Sequence, residues 1–168
     1  MNSIALRTMN DIRFFLLAFW LGAATLFSFV VAPSLFSVLR QFQLANANEI
    51  AGTIVTRILS IVNVSGFFLS LVLIGLTLII AGNVGRSYLV QLALFLAMAI
   101  ATSVGHWLIA ARMRAIRAAL ELPIDQIAAT DPRRIMFANL HRYSVTALGI
   151  AMLAAIVSIV LIRARSTW

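Results

Sequence analysis

Residues 133–144, Arg-Arg-Ile-Met-Phe-Ala-Asn-Leu-His-Arg-Tyr-Ser, run without a break into the uncharged apolar segment Val145–Ile162. Asp131 followed by Pro132 is typical of a helix start, because the carboxylate can accept a free backbone N–H and proline at the first helical position has no N–H to lose. A bilayer is crossed by about 20 consecutive apolar residues. The sequence therefore predicts a helix that begins in water, enters the lipid near Tyr143 and spans the membrane over residues 143–162.

The composition of the chain places it in lipid. Of 168 residues, 62% are apolar and 11% are charged, whereas soluble domains are about 45–50% apolar and about 25% charged. A soluble fold of this length cannot hide that much apolar surface, so we predict a single integral membrane domain over residues 1–168. The absence of cysteine excludes disulfides, thiol catalysis and cysteine metal sites.

Three further apolar runs predict spans at residues 14–39, 58–81 and 89–111. The first run is longer than the apolar core of a signal peptide, which has about 7–15 residues. Pro33 should bend this span, because it cannot donate to the carbonyl of Phe29. The short turn Gly-Asn-Val-Gly at residues 82–85 makes the next span return antiparallel. The expected fold is an all-α membrane protein, an antiparallel bundle of four transmembrane helices.

Two local patterns refine this prediction. Asn46 and Glu49 have the spacing of a capping box, which predicts that the second helix starts outside the membrane. Along the third span, polar and large residues recur every three or four positions, which predicts one side that faces the bundle. This stripe consists of Gln91, Phe95, Met98, Thr102 and His106.

The net charge of +8 comes from thirteen arginines, with no lysine, set against five acids. In a soluble protein such a charge would suggest nucleic acid, but here the arginines flank apolar spans and no basic surface is interleaved with stacking aromatics. We therefore expect no nucleic-acid partner. The placement fits contact with the lipid bilayer and its anionic headgroups.

The arginines also predict an orientation. Four antiparallel spans put both termini on one side, with five arginines, and the two longer loops on the other, with eight. Because cytoplasmic loops carry the excess of positive charge, we expect the longer loops in the cytoplasm and the termini in the periplasm. The predicted location is the plasma membrane, which is the inner membrane of a bacterium. The first side has Arg7, Arg13, Arg86, Arg163 and Arg165, and the second has Arg40, Arg57, Arg112, Arg114, Arg117, Arg133, Arg134 and Arg142.

The topology brings polar groups from all four helices to one interface: Arg40, Arg57, His106, Arg112, His141 and Arg142. Ionisable groups near a bilayer normally pair or face a cavity. We therefore predict a cationic, histidine-containing site for a carboxylate, a phosphate or a lipid headgroup. Its expected ligand-binding residues are Arg57, His141, Arg142, Asn139, Tyr143 and Asn63. In the plainer alternative, the arginines reach out to water and the histidines bond to nearby backbone.

Other chemistries fit the sequence less well. Haem would require both His106 and His141 on one iron, yet His106 lies roughly 9 Å inside Arg112 if the helix rises 1.5 Å per residue, whereas His141 is at the water boundary. A zinc site would need carboxylates, and the nearby acids are in water. No Ser-His-acid set has its acid in the membrane, and no glycine-rich phosphate loop occurs. We therefore expect no metal, no catalytic residue and no resident cofactor, with haem as the alternative.

Several short motifs together resemble a known family. They are Phe19-Trp20-Leu21-Gly22, Val31-Ala32-Pro33-Ser34-Leu35-Phe36, Ala51-Gly52 before Arg57, and Phe137-Ala138-Asn139-Leu140-His141-Arg142-Tyr143-Ser144. They are similar to the domain-of-unknown-function 4149 family, which includes the eukaryotic transmembrane protein 205. The resemblance implies a small multi-pass membrane protein, bacterial in this compact form, without an established reaction or cofactor. The family is also distantly similar to copper-resistance D-like membrane proteins and their haem-binding relatives, which keeps haem as an alternative.

The functional prediction is a non-enzymatic membrane protein that binds or positions a small anionic or lipid partner through Arg57, His141 and Arg142. One alternative is a haem-carrying redox protein. Another is a small transporter. Because four spans are too few to enclose a wide path, a transporter would be a homo-oligomer packed through small residues such as Ala147, Ala151 and Ala155.

Overall fold

A computed structural model of the chain describes residues 3–44, 46–80, 86–124 and 126–166, and over these ranges it is helical with no strand. Four helical spans are each long and apolar enough to cross a membrane. The predicted all-α architecture of four membrane helices is confirmed. The first span comprises Ser3–Leu26, a wide π-helical turn at Phe27–Val31, and Ala32–Gln41; the second is Ala47–Ile80; the third comprises Arg86–Ser103, a wide turn at Val104–Ala110, and Ala111–Ala118; the fourth is Pro132–Ser166.

The helices are longer than the predicted spans, because most of them continue past the apolar run into polar residues. The second helix begins at Ala47, before the membrane-spanning part predicted from residue 58, and the fourth begins at Pro132, before the part predicted from residue 143. Apolar runs mark the part of a helix that lies in lipid, whereas the backbone hydrogen bonds continue through polar residues into water. Residue 81, the predicted end of the second span, and the predicted turn at residues 82–85 lie outside the described residues.

The starts of the second and fourth helices lie where the capping residues predicted them. Asp131 Oδ1 accepts a hydrogen bond from the backbone N–H of Arg133 at 2.7 Å, directly before Pro132. The side chain of Arg133 also bonds this carboxylate, at 2.8 Å, and together these donors lower the pKa of Asp131 to about 2. At the second helix, the carbonyl of Asn46 accepts the N–H of Ile50 at 3.0 Å.

Pro33 alters the first span through a wide turn rather than through a simple gap in the hydrogen bonding. The N–H of Ala32 donates to the carbonyl of Phe27, five residues earlier, and Pro33 follows in the first turn of the next α-helical segment. A proline has no N–H to donate, so the widened turn before it accommodates the break. The hydroxyl of Ser28, within this turn, is buried and has no hydrogen-bond partner in the described part of the chain.

The spans pack as a four-membered bundle in which the first and third each contact the second and fourth. At one end, the guanidinium of Arg163 lies over the ring of Phe14, 4.3 Å from its centroid, which joins the fourth span to the first. Within the core, the indole N–H of Trp20 donates to the carbonyl of Val62 at 3.0 Å. A β-carbon at residue 66 would come within 2.8 Å of the Trp20 ring, so Gly66 permits this close approach.

The polar stripe of the third span faces the bundle, as predicted. The side chains of Gln91, Phe95, Met98 and Thr102 are fully buried, and His106 is partly buried.

The alanines of the fourth span also face inward. Ala147 is 9% exposed, and Ala151 and Ala155 are 0% exposed. The prediction that these alanines form a contact between copies is therefore wrong, because packing inside one chain already covers them. Whether the protein forms a homo-oligomer through another surface stays a prediction.

Candidate anion site between the second and third spans

The predicted site residues divide among different spaces rather than sharing one pocket. Arg57 lines a cleft between the second and third spans. Asn139 and Tyr143 line a shallow groove between the third and fourth spans, together with Arg112. His141 lines a third space, between the first, second and fourth spans. Antiparallel packing thus brings these helix ends together, as the sequence indicated, but the side chains point to different sides of their helices.

The remaining predicted residues lie apart from these openings. Asn63 is buried in the bundle, where its amide lies beside Gly105: a β-carbon added there would be 3.1 Å from Nδ2 of Asn63. Arg142 is exposed and lines none of the three spaces. Its backbone carbonyl accepts the hydroxyl of Thr146 at 3.0 Å.

The cleft between the second and third spans, here named the arginine cleft, has the strongest positive charge of the three. Its volume is about 550 Å³. Three guanidinium groups and one carboxylate line it, which leaves a formal excess of two positive charges. The lining residues are Glu49, Thr53, Thr56, Arg57, Ser60, Arg114, Arg117 and Ala118.

Arg117, on the third span, contacts both the second and the fourth spans. Its Nε lies 3.6 Å from Oε1 of Glu49 on the second span, and its guanidinium lies 5.0 Å from the ring centroid of Phe137 on the fourth. The guanidinium also lies against Gly52, where a β-carbon would collide with it. Arg117 therefore neutralises the acid of the cleft and joins the second, third and fourth spans at this end of the bundle.

Arg57 and Arg114, the other two arginines of the cleft, differ from Arg117 in their surroundings. Both are exposed, and no ion pair connects either of them to an acid among the described residues. Thr53 and Thr56 donate their hydroxyl protons to the carbonyls of Glu49 and Gly52 in their own helix. The guanidinium groups are therefore the main donors that an anion in the cleft would meet.

Ser60, which lines the cleft, contacts a histidine that does not line it. Ser60 Oγ lies 3.1 Å from Nδ1 of His106, a hydrogen bond in which either group can donate, depending on the imidazole tautomer. His106 belongs to the wide turn Val104–Ala110, and its ring packs edge-on against Trp107 with centroids 4.9 Å apart. Wide turns of this kind are frequent at functional sites.

Sequence reasoning missed that Arg114 and Arg117 line the same cleft as Arg57, because arginines just beyond a span commonly extend into water. The spacing of three residues between Arg114 and Arg117 indicates that the two side chains share a cleft wall, since it places both on one face of a helix. Arg112, two residues before Arg114, belongs to the opposite face. The structure accordingly places Arg112 in the groove with Tyr143.

A second feature that sequence reasoning missed lies at the other end of the bundle. Arg13 is 1% exposed. It donates hydrogen bonds to Asn10 Oδ1 at 3.1 Å and to Gln91 Oε1, and its guanidinium lies 5.5 Å from the centroid of Phe95. A buried arginine requires such acceptors, because burying a charge without partners is costly. Gln91, a polar residue at the start of a buried stripe, was the available signal.

The two histidines do not share a cavity. His106 adjoins the arginine cleft through Ser60, whereas His141 lines the space between the first, second and fourth spans. Within the described ranges, no group of three metal-ligating His, Cys, Asp or Glu side chains comes together. The structure therefore does not bring both histidines to one iron.

Comparison with known proteins gives one match. Residues 15–121 match the family described as Domain of unknown function (DUF4149). The match includes the first span from residue 15 onward, all of the second and third spans and every residue of the arginine cleft, and it ends before the fourth span. No curated protein and no solved structure matches. The further similarities to transmembrane protein 205 and to copper-resistance D-like proteins stay predictions.

Proposed function

This chain belongs to the DUF4149 family, and from that membership and the geometry of the arginine cleft we propose that it binds the phosphate group of an anionic lipid headgroup at one membrane interface. The observation that carries the proposal is the pair Arg57 and Arg114, which line one cleft and have no acidic partner among the described residues. The third arginine, Arg117, is already paired with Glu49, which is the only acid among the described residues that line the cleft.

Phosphate suits this arrangement for three reasons. A guanidinium presents planar, paired N–H donors that match phosphate oxygens, and charge-assisted bonds of this kind are stronger than neutral ones. The cleft volume of about 550 Å³ lies within the range of about 300–1,000 Å³ that is usual for small-molecule sites. The cleft also lies at the ends of the apolar runs of the second and third spans, where the anionic headgroups of a bilayer would lie and would attract basic side chains.

Binding is favoured over catalysis, although Ser60 and His106 are within hydrogen-bond distance. A serine nucleophile normally needs its histidine to be oriented by a third group, and in the described part of the chain the only carboxylate lining this cleft, Glu49, is paired with Arg117. The proposed role is therefore to hold or position an anionic lipid, without a chemical step.

The proposal is tested with purified protein in neutral detergent, titrated with phosphatidylglycerol, phosphatidylcholine or inorganic phosphate and followed by native mass spectrometry. The double variant Arg57→Gln/Arg114→Gln should weaken phosphatidylglycerol binding about tenfold, because two charge-assisted contacts are lost. The matched control is Arg112→Gln/Arg142→Gln, which removes the same charge at the same end and should weaken binding by less than about threefold at physiological salt.

The lipids and the anion distinguish the possible sources of the phosphate group. Competition by inorganic phosphate at concentrations comparable to those of the lipid would identify a free anion as the ligand. Equal affinity for phosphatidylglycerol and phosphatidylcholine, or equal losses in the two double variants, would contradict the proposal.

A further inference from the structure

A second cavity lies between the first, second and fourth spans, and it has a different chemistry from the arginine cleft. Its volume is about 410 Å³. We name it the His141 groove, after the one ionisable residue that lines it. Its lining is otherwise apolar except for the hydroxyls of Ser28 and Ser144. It includes Phe27 and Phe36 from the first span, Val55 and Leu59 from the second, and Gly149 and Met152 from the fourth.

The groove has the depth of one leaflet. Along the fourth span it extends from His141 to Met152. Eleven residues at 1.5 Å each correspond to about 16 Å, about half of the roughly 30 Å hydrocarbon core. Along the first span it extends in the opposite direction, from Phe36 near the water to Phe27 deeper in the bundle. Its long axis is therefore parallel to the lipid chains of the leaflet on this side.

Two polar side chains, of His141 and Arg40, lie at the interfacial end of the groove. His141 is exposed there, two residues before Tyr143, where the sequence predicts that the fourth helix enters the lipid. Arg40 Nε donates to the backbone carbonyl of Phe36 at 3.1 Å, which keeps the guanidinium beside a residue that lines the groove. The deeper end is bounded by Phe27, Leu148 and Met152. A molecule in this groove would thus meet the imidazole of His141 and the guanidinium of Arg40 at the interface, with hydrocarbon below them.

Two backbone features make room for an occupant. The wide turn Phe27–Val31 provides several of the lining residues on the first span. On the fourth span, Gly149 has no side chain, and a β-carbon built there would meet nothing within 4 Å. Because Gly149 has no side chain, the groove stays open between Leu148 and Met152 on the fourth span.

From this geometry we propose that the His141 groove binds a single acyl chain of a lipid in the same leaflet, with the anionic or polar head of that lipid at His141 and Arg40. Val55 and Leu59 line this groove, whereas Arg57 and Ser60 of the same helix line the arginine cleft, so the two sites lie on different faces of the second span. This second site is independent of the proposed function.

The His141 groove should select its ligand through the fit of the acyl chain and through the contact of the lipid head with His141 and Arg40. Surrounding lipid is as apolar as the groove, so the hydrophobic effect contributes little and close packing contributes more. The acyl chain can belong to a free fatty acid or to a phospholipid. Both sources place an anionic or phosphate-bearing head at the interface, within reach of His141 and Arg40.

The test is photolabelling in lipid nanodiscs with two probes that have a diazirine in the acyl chain: a palmitic acid and a phosphatidylglycerol. Labelled peptides are mapped by mass spectrometry. Labels should concentrate on residues 27–36 and 144–152. Gly149→Leu fills the groove and should lower labelling there by roughly three- to tenfold, the change expected when packing contacts and the seating of the head are lost.

The matched control is Gly75→Leu. Gly75 is exposed on the second span, a β-carbon there also meets nothing within 4 Å, and the residue does not line the groove. This variant should label like the wild type. A second test variant, His141→Gln at an exposed position, should lower labelling by roughly threefold by weakening the head contact, without altering the packed core.

The two probes identify the source of the chain: stronger saturable labelling by palmitic acid supports a free fatty acid, and stronger labelling by phosphatidylglycerol supports a phospholipid. The proposal is overturned if labels are as dense around Gly75 as in the groove. It is also overturned if Gly149→Leu and His141→Gln both label like the wild type.

Discussion

The guanidinium group of Arg117 packs directly against the backbone of Gly52, in the space that a side chain at residue 52 would occupy. This contact lets the arginine reach Glu49 on the second span and Phe137 on the fourth at the same time. One glycine thus permits one arginine to join three helices beside the proposed anion site.

Replacing Gly52 with alanine should displace Arg117 from Glu49 and Phe137. The ion pair and the cation–π contact are partly exposed, so their combined loss should lower the free energy of unfolding by about 1 kcal/mol. Thermal unfolding in detergent measures the effect. Gly75→Ala is the control, because its β-carbon meets nothing and alanine favours a helix. A similar melting temperature for both variants would show that Arg117 accommodates the methyl group without losing its contacts.

Gln91→Leu should destabilise the opposite end of the bundle. Gln91 accepts a hydrogen bond from the buried guanidinium of Arg13, and hydrogen bonds to charged groups contribute about 1.5–3 kcal/mol. We expect a loss of that size in denaturant or thermal unfolding. Gln41→Leu, at an exposed position at the end of the first span, should change stability by less than about 0.5 kcal/mol. Equal effects of the two variants would contradict a structural role for the Arg13–Gln91 contact.

The start of the fourth helix should lose protection in acid. Hydrogen bonds from Arg133 lower the pKa of Asp131 from 3.8 to about 2. A carboxyl whose pKa is lower in the folded state contributes stability that is complete above pH 3.8 and is lost as the pH falls through about 2. Hydrogen exchange of the backbone N–H groups of residues 133–136 measures this loss at the helix start.

Asp131→Asn is the informative comparison, because asparagine also caps helices but does not titrate. The difference in exchange between wild type and variant should be largest above pH 4 and should disappear near pH 2. A difference that does not depend on pH would show that the ionised carboxylate contributes nothing beyond the cap.

The predicted orientation can be tested with single cysteines, since the chain has none of its own. The substitution Glu121→Cys places a cysteine between the third and fourth spans, and Arg86→Cys places one at the start of the third span. We expect an impermeant maleimide added to intact spheroplasts to label the cysteine at position 86 and to leave the one at 121 unlabelled until the membrane is opened. The reverse pattern would place the termini in the cytoplasm, and labelling of both from outside would contradict the antiparallel arrangement.

The spans and helix starts could be predicted because their causes are local. A run of apolar residues long enough for the bilayer must form a helix, since lipid offers no water to the backbone. Asp131 before Pro132 determines a helix start without reference to the rest of the chain. The periodic stripe from Gln91 to Thr102 likewise identified a buried face correctly.

The candidate site could not be predicted to the same degree, because it depends on the rotation of each helix about its axis. His141 and Tyr143 are two residues apart, so their side chains leave the helix on nearly opposite sides and line different spaces. The sequence places both at one interface, but it does not determine which neighbour each of them faces. That depends on how Trp20 fits against Gly66 and how Arg117 fits against Gly52, contacts between residues that are far apart in the chain.

The wide turn Val104–Ala110 has a consequence for chain length. A π-helical turn contains one residue more than the α-helical turn it replaces, so deletion of a single residue within it would restore a regular helix. Because the wide turn absorbs the extra residue, the helix after it would keep its present face, and Arg117 would still lie beside Glu49. The same deletion in the regular helix Arg86–Ser103 would instead rotate everything after it by about 100°, one residue's share of an α-helical turn. A relative shorter by one residue within the wide turn would therefore keep both its membrane crossings and the charges that it presents to the headgroups.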